Sequence, residues 1–363
     1  MRGGEKVVEA LCHLLPDADV FTLFYDPAKI SPAIRSHRVN ASFLNPLRRH
    51  YRSLLPLFPM ALESLDLRGY DLVVSSESGP AKGVLTSADT RHICYCHSPM
   101  RYLWDLYPTY LHDWTRARWK KAAMAVLGCP LRVWDYSAAA RVDEFAANSR
   151  NVQRRIWKAY RRESQVIYPP VAIETFKWLP PGDSYLMVSE LVAYKRAGDA
   201  VRCFTRTGRQ LKIVGDGPEY AALKRQAGPN VEFCGRVSTG ELQDLYSRCR
   251  ALLMPGEEDF GIVAVEAMAS GKPVIALGRG GVLEAVPPAG GVFYNEPGDE
   301  PLEEALNRFE EVEPLVRPAE LQAWAERFSE KRFRERVLNL IGRETGARDT
   351  EAFLRQAPER VEG

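Results

Sequence analysis

The chain has 363 residues, 45% of them hydrophobic and 26% charged, which is enough to build two ordinary domains with a core each. Its formal net charge of +2 gives no overall attraction for nucleic acid, so we predict no nucleic-acid partner. The longest near-apolar stretch, residues 122–131, is well short of the about 20 residues that span a bilayer, and we predict neither a transmembrane helix nor a signal peptide.

Cysteine usage points to the compartment. The seven cysteines are an odd number, lie in apolar runs and form no CxxC pair. This pattern predicts buried free thiols in a reducing cytoplasm rather than a disulfide framework. Cys94, Cys96 and His97 lie close together, but no second ligand pair accompanies them, so we predict no metal site.

The chain opens with Gly3 and Gly4, which lead into a helical pattern with Val7, Leu11 and Leu14 on one face. A Gly-Gly turn into a helix normally follows a strand, and no strand precedes this one. We therefore expect a protein that begins about 10 to 20 residues upstream, or another segment that fills the gap. The first strand of a doubly wound sheet lies centrally, so its loss would expose two ladder edges.

Strands and helices alternate along the rest of the chain, which predicts parallel sheets. The strands predicted in the first half are 20–24, 72–75, 93–96, 145–147 and 165–167, with a long helical insertion between 96 and 145. Those predicted in the second half are 185–188, 211–214, 231–234, 251–254, 274–276 and 292–294. The fold class is therefore α/β, with two Rossmann-like, doubly wound domains.

A proline-rich connector marks the domain boundary. It runs from Tyr168-Pro169-Pro170 to Pro180-Pro181-Gly182. We predict an N-terminal domain over 1–170, a C-terminal domain over 171–328, a helix over 329–345 and a flexible tail over 346–363. The helix rests on the spacing of Phe333, Val337, Leu340 and Ile341, and the tail on its polar composition.

The most informative segment is 256–275, where a loop between a strand and a helix carries two glutamates. Backbone N–H groups of Phe260, Gly261 and Ile262 at the helix start can bind an anion. Glu266, about a turn and a half into the helix, can accept hydrogen bonds from a vicinal diol such as ribose, and Glu258 can accept them from hexose hydroxyls. Two solvated glutamates on an amphipathic helix are the plainer interpretation of this spacing alone.

Other loops that are predicted to follow strands also carry candidate binding residues. Lys195 and Arg196 supply positive charge after the first strand of the second domain, and Arg279 lies in a Gly-rich loop further along. A solvated Lys-Arg pair is the alternative. Three more residues lie at strand ends: Gly215, Gly217 and Arg236. Because a doubly wound sheet binds ligands at the carboxyl ends of its strands, we expect all of them at one site.

With Asp-Phe-Gly at 259–261 and Glu-Ala-Met-Ala-Ser-Gly-Lys-Pro-Val-Ile at 266–275, the segment resembles the donor-site signature of retaining family 4 (group 1) glycosyltransferases of the GT-B fold. The resemblance runs from Gly3 to about Ile341. It implies two Rossmann-like domains facing across a cleft, with the C-terminal helix crossing back to the N-terminal domain. It also implies a nucleoside-diphosphate sugar as donor, its diphosphate held by Lys195, Arg196 and Arg279 and its base near Arg236.

One residue departs from this family's pattern. Glu190 stands where the family usually carries an arginine that neutralises the phosphates. An anion there would weaken diphosphate binding unless its side chain points away, so we expect the remaining basic residues to supply the charge.

In the first domain the resemblance implies that His97, at a strand end, faces the donor sugar. A lone histidine there is more often a structural hydrogen-bonding group. Arg101, Tyr102, Trp104 and Asp105 would lie near the acceptor pocket, where aromatic faces suit sugar rings. The loop with Gly3 and Gly4 would face the phosphates.

The strings 96–105, 147–149 and 166–171 resemble a branch of bacterial mannosyltransferases that build O-antigen and exopolysaccharide. This implies transfer of mannose from GDP-mannose to a glycan or lipid-linked saccharide, with UDP-glucose and UDP-galactose as alternative donors. It also implies front-side attack with retention, the departing phosphate helping to deprotonate the acceptor, without a metal or cofactor.

Two basic, aromatic stretches could contact a membrane at its cytoplasmic face. They are residues 114–121 and the helical pattern 150–162, which a solvated helix face explains nearly as well. Three alternative functions share the architecture: a non-hydrolysing sugar-nucleotide epimerase, a glycan phosphorylase, and an inactive scaffold of an envelope-assembly complex.

Overall fold

A computed structural model describes residues 3–112 and 118–342, which form two compact units. One unit comprises the described residues up to Tyr168 together with those from Phe333 onward, and the other is Pro169–Arg332. Residues 114–117 of the first basic stretch, and the predicted tail, lie outside the described residues.

The strands of the first unit form two separate parallel sheets. One pairs β1 (Val20–Thr22) with β2 (Val39–Ala41). The other has the order β3-β4-β5-β6, with bounds Leu72–Glu77, Arg91–Cys96, Glu144–Ala147 and Gln165–Val166. Among the described residues, no ladder joins β1 or β2 to the four-stranded sheet. The five predicted strands are present, and β2 was not predicted.

Helices cover these strands and fill the long insertion. They are α1 (Gly3–Leu14), α2 (Pro32–Arg35), α3 (Phe58–Glu63), α4 (Tyr107–His112), α5 (Arg118–Ala140), α6 (Arg150–Tyr160) and α14 (Glu330–Ile341). Two 3₁₀ segments, Asn45–Leu57 and Ala81–Gly83, follow β2 and β3. The helical insertion predicted between β4 and β5 is thus confirmed as α4 and α5.

The core of the first unit explains why α14 packs onto it. Phe333, Val337 and Leu340 of α14 pack with Val7 of α1 and Ile93 of β4 in one buried cluster. The Arg91 guanidinium adds hydrogen bonds to the carbonyls of Leu340 and Ile341 at 2.8 and 2.6 Å. Apolar spacing on α14 therefore places the last described helix against the first unit.

The second unit is built on one six-stranded parallel sheet with the order β12-β11-β10-β7-β8-β9. The strand bounds are β7 Ser184–Val188, β8 Gln210–Val214, β9 Val231–Gly235, β10 Leu252–Met254, β11 Val274–Leu277 and β12 Gly291–Tyr294. Chain order reverses between the neighbours β7 and β10, which makes their carboxyl ends the switch point of the sheet. All six strands agree with the sequence prediction.

Seven helices cover both faces of this sheet. They are α7 (Ala197–Thr207), α8 (Tyr220–Gln226), α9 (Thr239–Arg248), α10 (Ile262–Ala269), α11 (Val282–Ala285), α12 (Asp299–Val312) and α13 (Pro318–Ala325). Ser238 and Glu241 form a capping box that begins α9. Strands β10 and β11 are buried throughout, as expected of central strands in a sheet covered on both faces.

Within the described parts of the chain, no helix combines the length and the apolar composition that crossing a membrane requires. All seven cysteines are free thiols, and five of them are buried.

Candidate functional site

The candidate site of the second unit lies at the carboxyl ends of its strands. Lys195 ends a short 3₁₀ turn after β7, and Glu258 lies in the loop after β10, so the switch point separates them. The loops after β8, β9 and β11 carry Gly215, Arg236 and Arg279 at the same edge. The parallel strands therefore bring these loops to one edge of the sheet.

A salt bridge joins the Lys195 ammonium to the Glu258 carboxylate, and their side chains are 15% and 22% exposed. Burial works to lower the pKa of Lys195, but the neighbouring Glu258 carboxylate outweighs it and the pKa is raised. Lys195 is therefore a protonated, partly shielded cation at neutral pH. Partial burial strengthens the attraction of this cation for an anion. In this structure the Glu258 carboxylate is the counter-ion of Lys195.

The backbone at the start of α10 is the second feature of the site that could bind an anion. Gly261 precedes the helix with φ 96°, a left-handed conformation that favours glycine. A Cβ there would also lie 3.0 Å from the Met254 side chain. The Phe260 ring is buried against Phe328 with a centroid distance of 5.4 Å, so Phe260 presents its backbone rather than its ring to a ligand.

Glu266 is held in place one turn into α10. Its side chain is 3% exposed, and its Oε2 accepts a hydrogen bond from the Tyr246 hydroxyl of α9 at 2.8 Å. Burial, followed by the nearby Glu266 carboxylate, raises the pKa of Tyr246 well above its ordinary value, so the phenol stays a donor. Sequence reasoning missed Tyr246, because nothing in the local pattern of α9 relates it to α10.

The loop after β11 packs directly on the loop after β10. The Gly281 N–H donates to the Glu258 carbonyl at 2.8 Å, and a Cβ on Gly280 would lie 2.3 Å from that same carbonyl. Arg279, which precedes these two glycines, donates to the Asn295 carbonyl at 2.8 Å and lies 3.3 Å from Glu296. These glycines thus fix the backbone around Glu258, while Arg279 lies on the neighbouring Asn295–Glu296 segment.

Arg196 and Arg236 have carboxylate neighbours away from the Lys195 ion pair. The Arg196 guanidinium donates to Asp199 at 2.6 Å, and its backbone is left-handed with φ 57°. Arg236 is 82% exposed, and its Nε lies 3.5 Å from Asp216. The side chain that departs from the family pattern, Glu190, is exposed.

The glycines after β8 serve loop packing. A Cβ on Gly215 would lie 1.8 Å from the Ser189 carbonyl, and one on Gly217 would lie 2.4 Å from the Leu191 carbonyl. The loops after β7 and β8 therefore lie in direct backbone contact. This packing accounts for both glycines without a ligand.

In the first unit, His97 and Gly4 come together at the end of β4. The His97 Nε2 is 2.9 Å from the Ser76 hydroxyl, and a Cβ on Gly4 would lie 3.5 Å from the same nitrogen. Gly3, the first described residue, begins the same helix. Burial lowers the pKa of His97 to about 4, so the imidazole is neutral at pH 7. Sequence reasoning missed Ser76.

The segment after His97 is held by polar contacts. Asp105 lies 3.3 Å from the Arg101 guanidinium and 3.4 Å from that of Arg155 in α6. The Trp104 indole N–H donates to Asp135 of α5 at 2.7 Å, and the Tyr102 hydroxyl contacts the Met100 sulfur at 3.0 Å. The predicted acceptor-side residues are therefore neighbours on one ordered turn.

A buried ionic network lies beneath this turn. The Lys82 ammonium, with a fully buried side chain, forms salt bridges with Asp135 and, at 3.3 Å, with Glu77. Asp135 also accepts hydrogen bonds from Tyr160 and Trp104, both at 2.7 Å. One cation faces two carboxylates, and burial raises the pKa of Glu77 to about 7. The network ties Trp104 to the β3 end, a role that sequence reasoning did not find.

No group of three or more His, Cys, Asp and Glu side chains is placed to hold a metal ion within residues 3–112 and 118–342.

The side chains of the second basic stretch, residues 150–162, fall into two groups: some have protein partners, and others are exposed. Arg155 meets Asp105, and Arg162 donates to the Ala139 and Asp143 carbonyls at 2.9 Å. Trp157 and Lys158 of α6 remain exposed.

Two glycosyltransferase family models match this chain. Residues 1–175 match the family described as Glycosyltransferase Family 4, and residues 178–327 match Glycosyl transferases group 1. An uncharacterized glycosyltransferase of Methanocaldococcus jannaschii is 29% identical over 41% of this chain and 44% of its own length. A GDP-mannose-dependent phosphatidylinositol monomannoside mannosyltransferase of Corynebacterium glutamicum is 35% identical over 28% of this chain and 29% of its own length. The matches thus span less than half the length of these curated relatives.

Solved structures resemble the whole chain. Anabaena HepE in complex with UDP-glucose has a TM-score of 0.70 at 19% identity, covering 94% of this chain and 96% of HepE. Sucrose-phosphate synthase of Thermosynechococcus elongatus has a TM-score of 0.62 at 21% identity, covering 96% and 92%. At these identities the likeness concerns the fold. The predicted class is confirmed: an α/β, GT-B-like chain with two Rossmann-like units.

Proposed function

From a chain that carries a Glycosyltransferase Family 4 domain followed by a Glycosyl transferases group 1 domain, we propose that the protein transfers a hexose from a nucleoside diphosphate sugar to a saccharide acceptor. The observation that carries the proposal is the Lys195–Glu258 ion pair at the switch point of the second unit. A shielded lysine beside a helix start is suited to a diphosphate, and a carboxylate at the same place is suited to sugar hydroxyls.

Donor binding requires the ion pair to change partners. A diphosphate that reaches Lys195 takes over from Glu258 as counter-ion, which releases the carboxylate to accept hydrogen bonds from the hexose. The N–H groups at the start of α10 add partial positive charge at the phosphates. Glu266, oriented by Tyr246, is placed one turn further along α10 to accept hydrogen bonds from the ribose diol.

We propose GDP-mannose as the donor. The C. glutamicum relative and an alpha-mannosyltransferase of Mycolicibacterium smegmatis, 34% identical over 31% of this chain, are both named GDP-mannose-dependent. The likeness to HepE in complex with UDP-glucose concerns the fold alone and carries no base preference. UDP-glucose and UDP-galactose are the competing donors that a binding experiment must include.

We propose that the reaction retains the anomeric configuration and needs no metal or cofactor. The bond between the anomeric carbon and the β-phosphate oxygen breaks as the acceptor oxygen attacks from the same face. The acceptor proton passes to the departing phosphate oxygen, so no enzymatic nucleophile is required. Lys195 and the α10 amides stabilise the negative charge that develops on the leaving group.

We assign the acceptor side to the first unit. Tyr102 and Trp104 offer aromatic faces for sugar rings, Arg101 and Asp105 offer polar groups, and His97 is proposed to contact the transferred sugar as a neutral imidazole. The acceptor would be a glycan or lipid-linked saccharide of the cell envelope, reached from the cytoplasmic face of the membrane.

The first experiment is a calorimetric titration of the full chain with GDP-, UDP- and ADP-sugars. One nucleotide sugar should bind selectively. Glu266→Gln, which keeps an acceptor for Tyr246 but removes the charge, should weaken that binding about 10-fold or more. Glu232→Gln is the matched control, because Glu232 lies in an exposed pair with Lys212 on β8 and β9. An anomeric proton spectrum of the product then tests retention.

Two results would overturn the proposal. If no nucleotide sugar binds to the folded protein, the donor site is not functional and an inactive scaffold becomes the better account. If Glu232→Gln weakens binding as much as Glu266→Gln, the ligand does not lie at α10.

A further inference from the structure

The surface that the function leaves unexplained is residues 43–60, here called the docking segment. It runs from Phe43 through the 3₁₀ segment Asn45–Leu57 into the start of α3. Five of its large apolar side chains are exposed, by 37 to 55%: Phe43, Leu47, Tyr51, Leu57 and Met60. Concentrated exposure of this kind marks an interaction surface.

The docking segment is unusual as a folded element. The 13 residues Asn45–Leu57 form two short 3₁₀ pieces joined at a non-helical residue, His50, and none of the 13 is buried. Pro46 lies in its first turn and Pro56 in its last, and the backbone kinks at His50. Most of its residues are therefore exposed rather than part of a core.

The segment is nevertheless anchored to the first unit. The buried Leu44 lies at its start, and Phe24 packs edge-on against Tyr51 and Phe58 with centroid distances of 6.3 and 5.6 Å. Leu55 packs against the buried cluster of Met100, Leu103 and Leu131, which also includes the acceptor-side residues Tyr102 and Trp104. A partner bound to the docking segment would thus lie beside the proposed acceptor turn.

The positive charge of the docking segment favours an anionic partner. Arg48, Arg49 and Arg52 are exposed, and residues 43–60 contain no Asp or Glu. The neighbouring Asp26 already pairs with Lys29 at 3.1 Å. Basic side chains interleaved with Leu, Phe and Tyr are the composition that binds an anionic bilayer interface. A second copy of this face would bring like charges together, which disfavours a symmetric dimer.

We propose that the docking segment holds the protein on the surface of an anionic lipid bilayer. The exposed apolar side chains enter the headgroup region, and the arginines contact lipid phosphates. This inference goes beyond the transferase proposal, since lipid binding by the segment can be measured without any sugar. It also differs from a membrane contact through α6, a different element on which Trp157 and Lys158 are exposed.

The test is sedimentation of the full chain with vesicles of phosphatidylcholine alone or mixed with phosphatidylglycerol. Wild type should bind only the anionic vesicles, and less at high salt. Leu47→Glu with Tyr51→Glu should weaken binding about 10-fold or more. Arg48→Gln with Arg49→Gln should also weaken it about 10-fold or more, since each cation near the surface contributes about 1 kcal/mol. The matched control is Trp157→Glu with Lys158→Gln on α6, which should bind as wild type.

Three outcomes would overturn the inference: wild type ignores anionic vesicles, the docking-segment variants bind as tightly as wild type, or only the α6 variant loses binding. Light scattering on the same samples tests self-association. A dimer that Leu47→Glu dissociates, without vesicle binding, would assign the segment to a second copy. Circular dichroism confirms that each variant folds, and retained nucleotide-sugar binding separates a failure here from a failure of the transferase proposal.

Discussion

Each unit has a lysine in the segment that follows a parallel strand, paired with carboxylate side chains, and the two lysines differ in their burial. Lys82, after β3, is fully buried and meets Glu77 and Asp135. Lys195, after β7, meets Glu258 with both side chains partly exposed. The same residue types thus stabilise the fold where every partner is buried, and form a candidate ligand site where one partner can be exchanged.

The largest expected effect is on the buried pair. Lys82→Met should lower the free energy of unfolding by about 3–5 kcal/mol, because it leaves Asp135 and Glu77 buried without their cation. Urea denaturation measures this loss. Lys212→Met removes a partly exposed lysine from β8 and should change stability little. A small effect of Lys82→Met would show that water reaches the network. The Lys82 and Lys195 ion pairs would then not differ in burial as described.

The next effect concerns pH. Burial raises the Glu77 pKa from 4.5 to about 7. The native state therefore holds this proton more tightly than the unfolded state, and stability is lost as pH rises from about 4.5 to about 7. Relative to Glu77→Gln, wild type should lose at most about 3 kcal/mol over that window. His92 and His97 titrate in both proteins and cancel in the difference. Parallel pH curves for the two proteins would contradict the shift.

The effect at Lys195 should appear in binding rather than in stability. Lys195→Met should weaken nucleotide-sugar affinity by about 1.5–3 kcal/mol, since it removes one charge-assisted contact with the diphosphate. Its unfolding free energy should change much less than that of Lys82→Met. Calorimetry and urea denaturation on one preparation give both quantities, with Lys212→Met again as the control. A loss of stability that matches Lys82→Met would make Lys195 a structural residue.

The smallest expected effect is the loss of stability when the Tyr160 hydroxyl is removed from the buried network. Tyr160→Phe removes one of the two aromatic donors to Asp135 and should cost about 1.5 kcal/mol, because Trp104 and Lys82 still satisfy the carboxylate. Tyr136→Phe on α5, whose side chain is 49% exposed, should be nearly neutral. Equal costs for the two substitutions, measured by urea denaturation, would show that Tyr160 adds nothing specific to the network.

Most elements could be predicted because their signals are local. The central strand β10 is a continuous apolar run, and the following glycine and helix pattern identified α10. Strand β2 was missed because it has three residues with Asn40 in the middle, and within residues 3–112 and 118–342 it pairs with β1 alone. The 3₁₀ segment was also missed, since its two prolines and three arginines predict neither a helix nor a strand.

Site residues divide in the same way. Lys195, Glu258 and Glu266 could be named from the sequence because each follows a predicted strand and lies in a motif that resembles the glycosyltransferase donor-site signature. The spacing of the two glutamates alone favoured solvated side chains. Tyr246 and Ser76 could not be named, because their roles depend on which side chain of another element they meet.

By itself, the sequence determined the order of strands and helices, the two α/β units and the edge where the loops after the strands meet, because periodicity and turn residues act over a few neighbouring positions. Only the tertiary structure decided which charge meets which. It paired Lys82 with Asp135, Lys195 with Glu258 and Arg279 with Glu296. The physical reason is that an ion pair depends on the distance and burial of two side chains, and the packing of whole elements sets both.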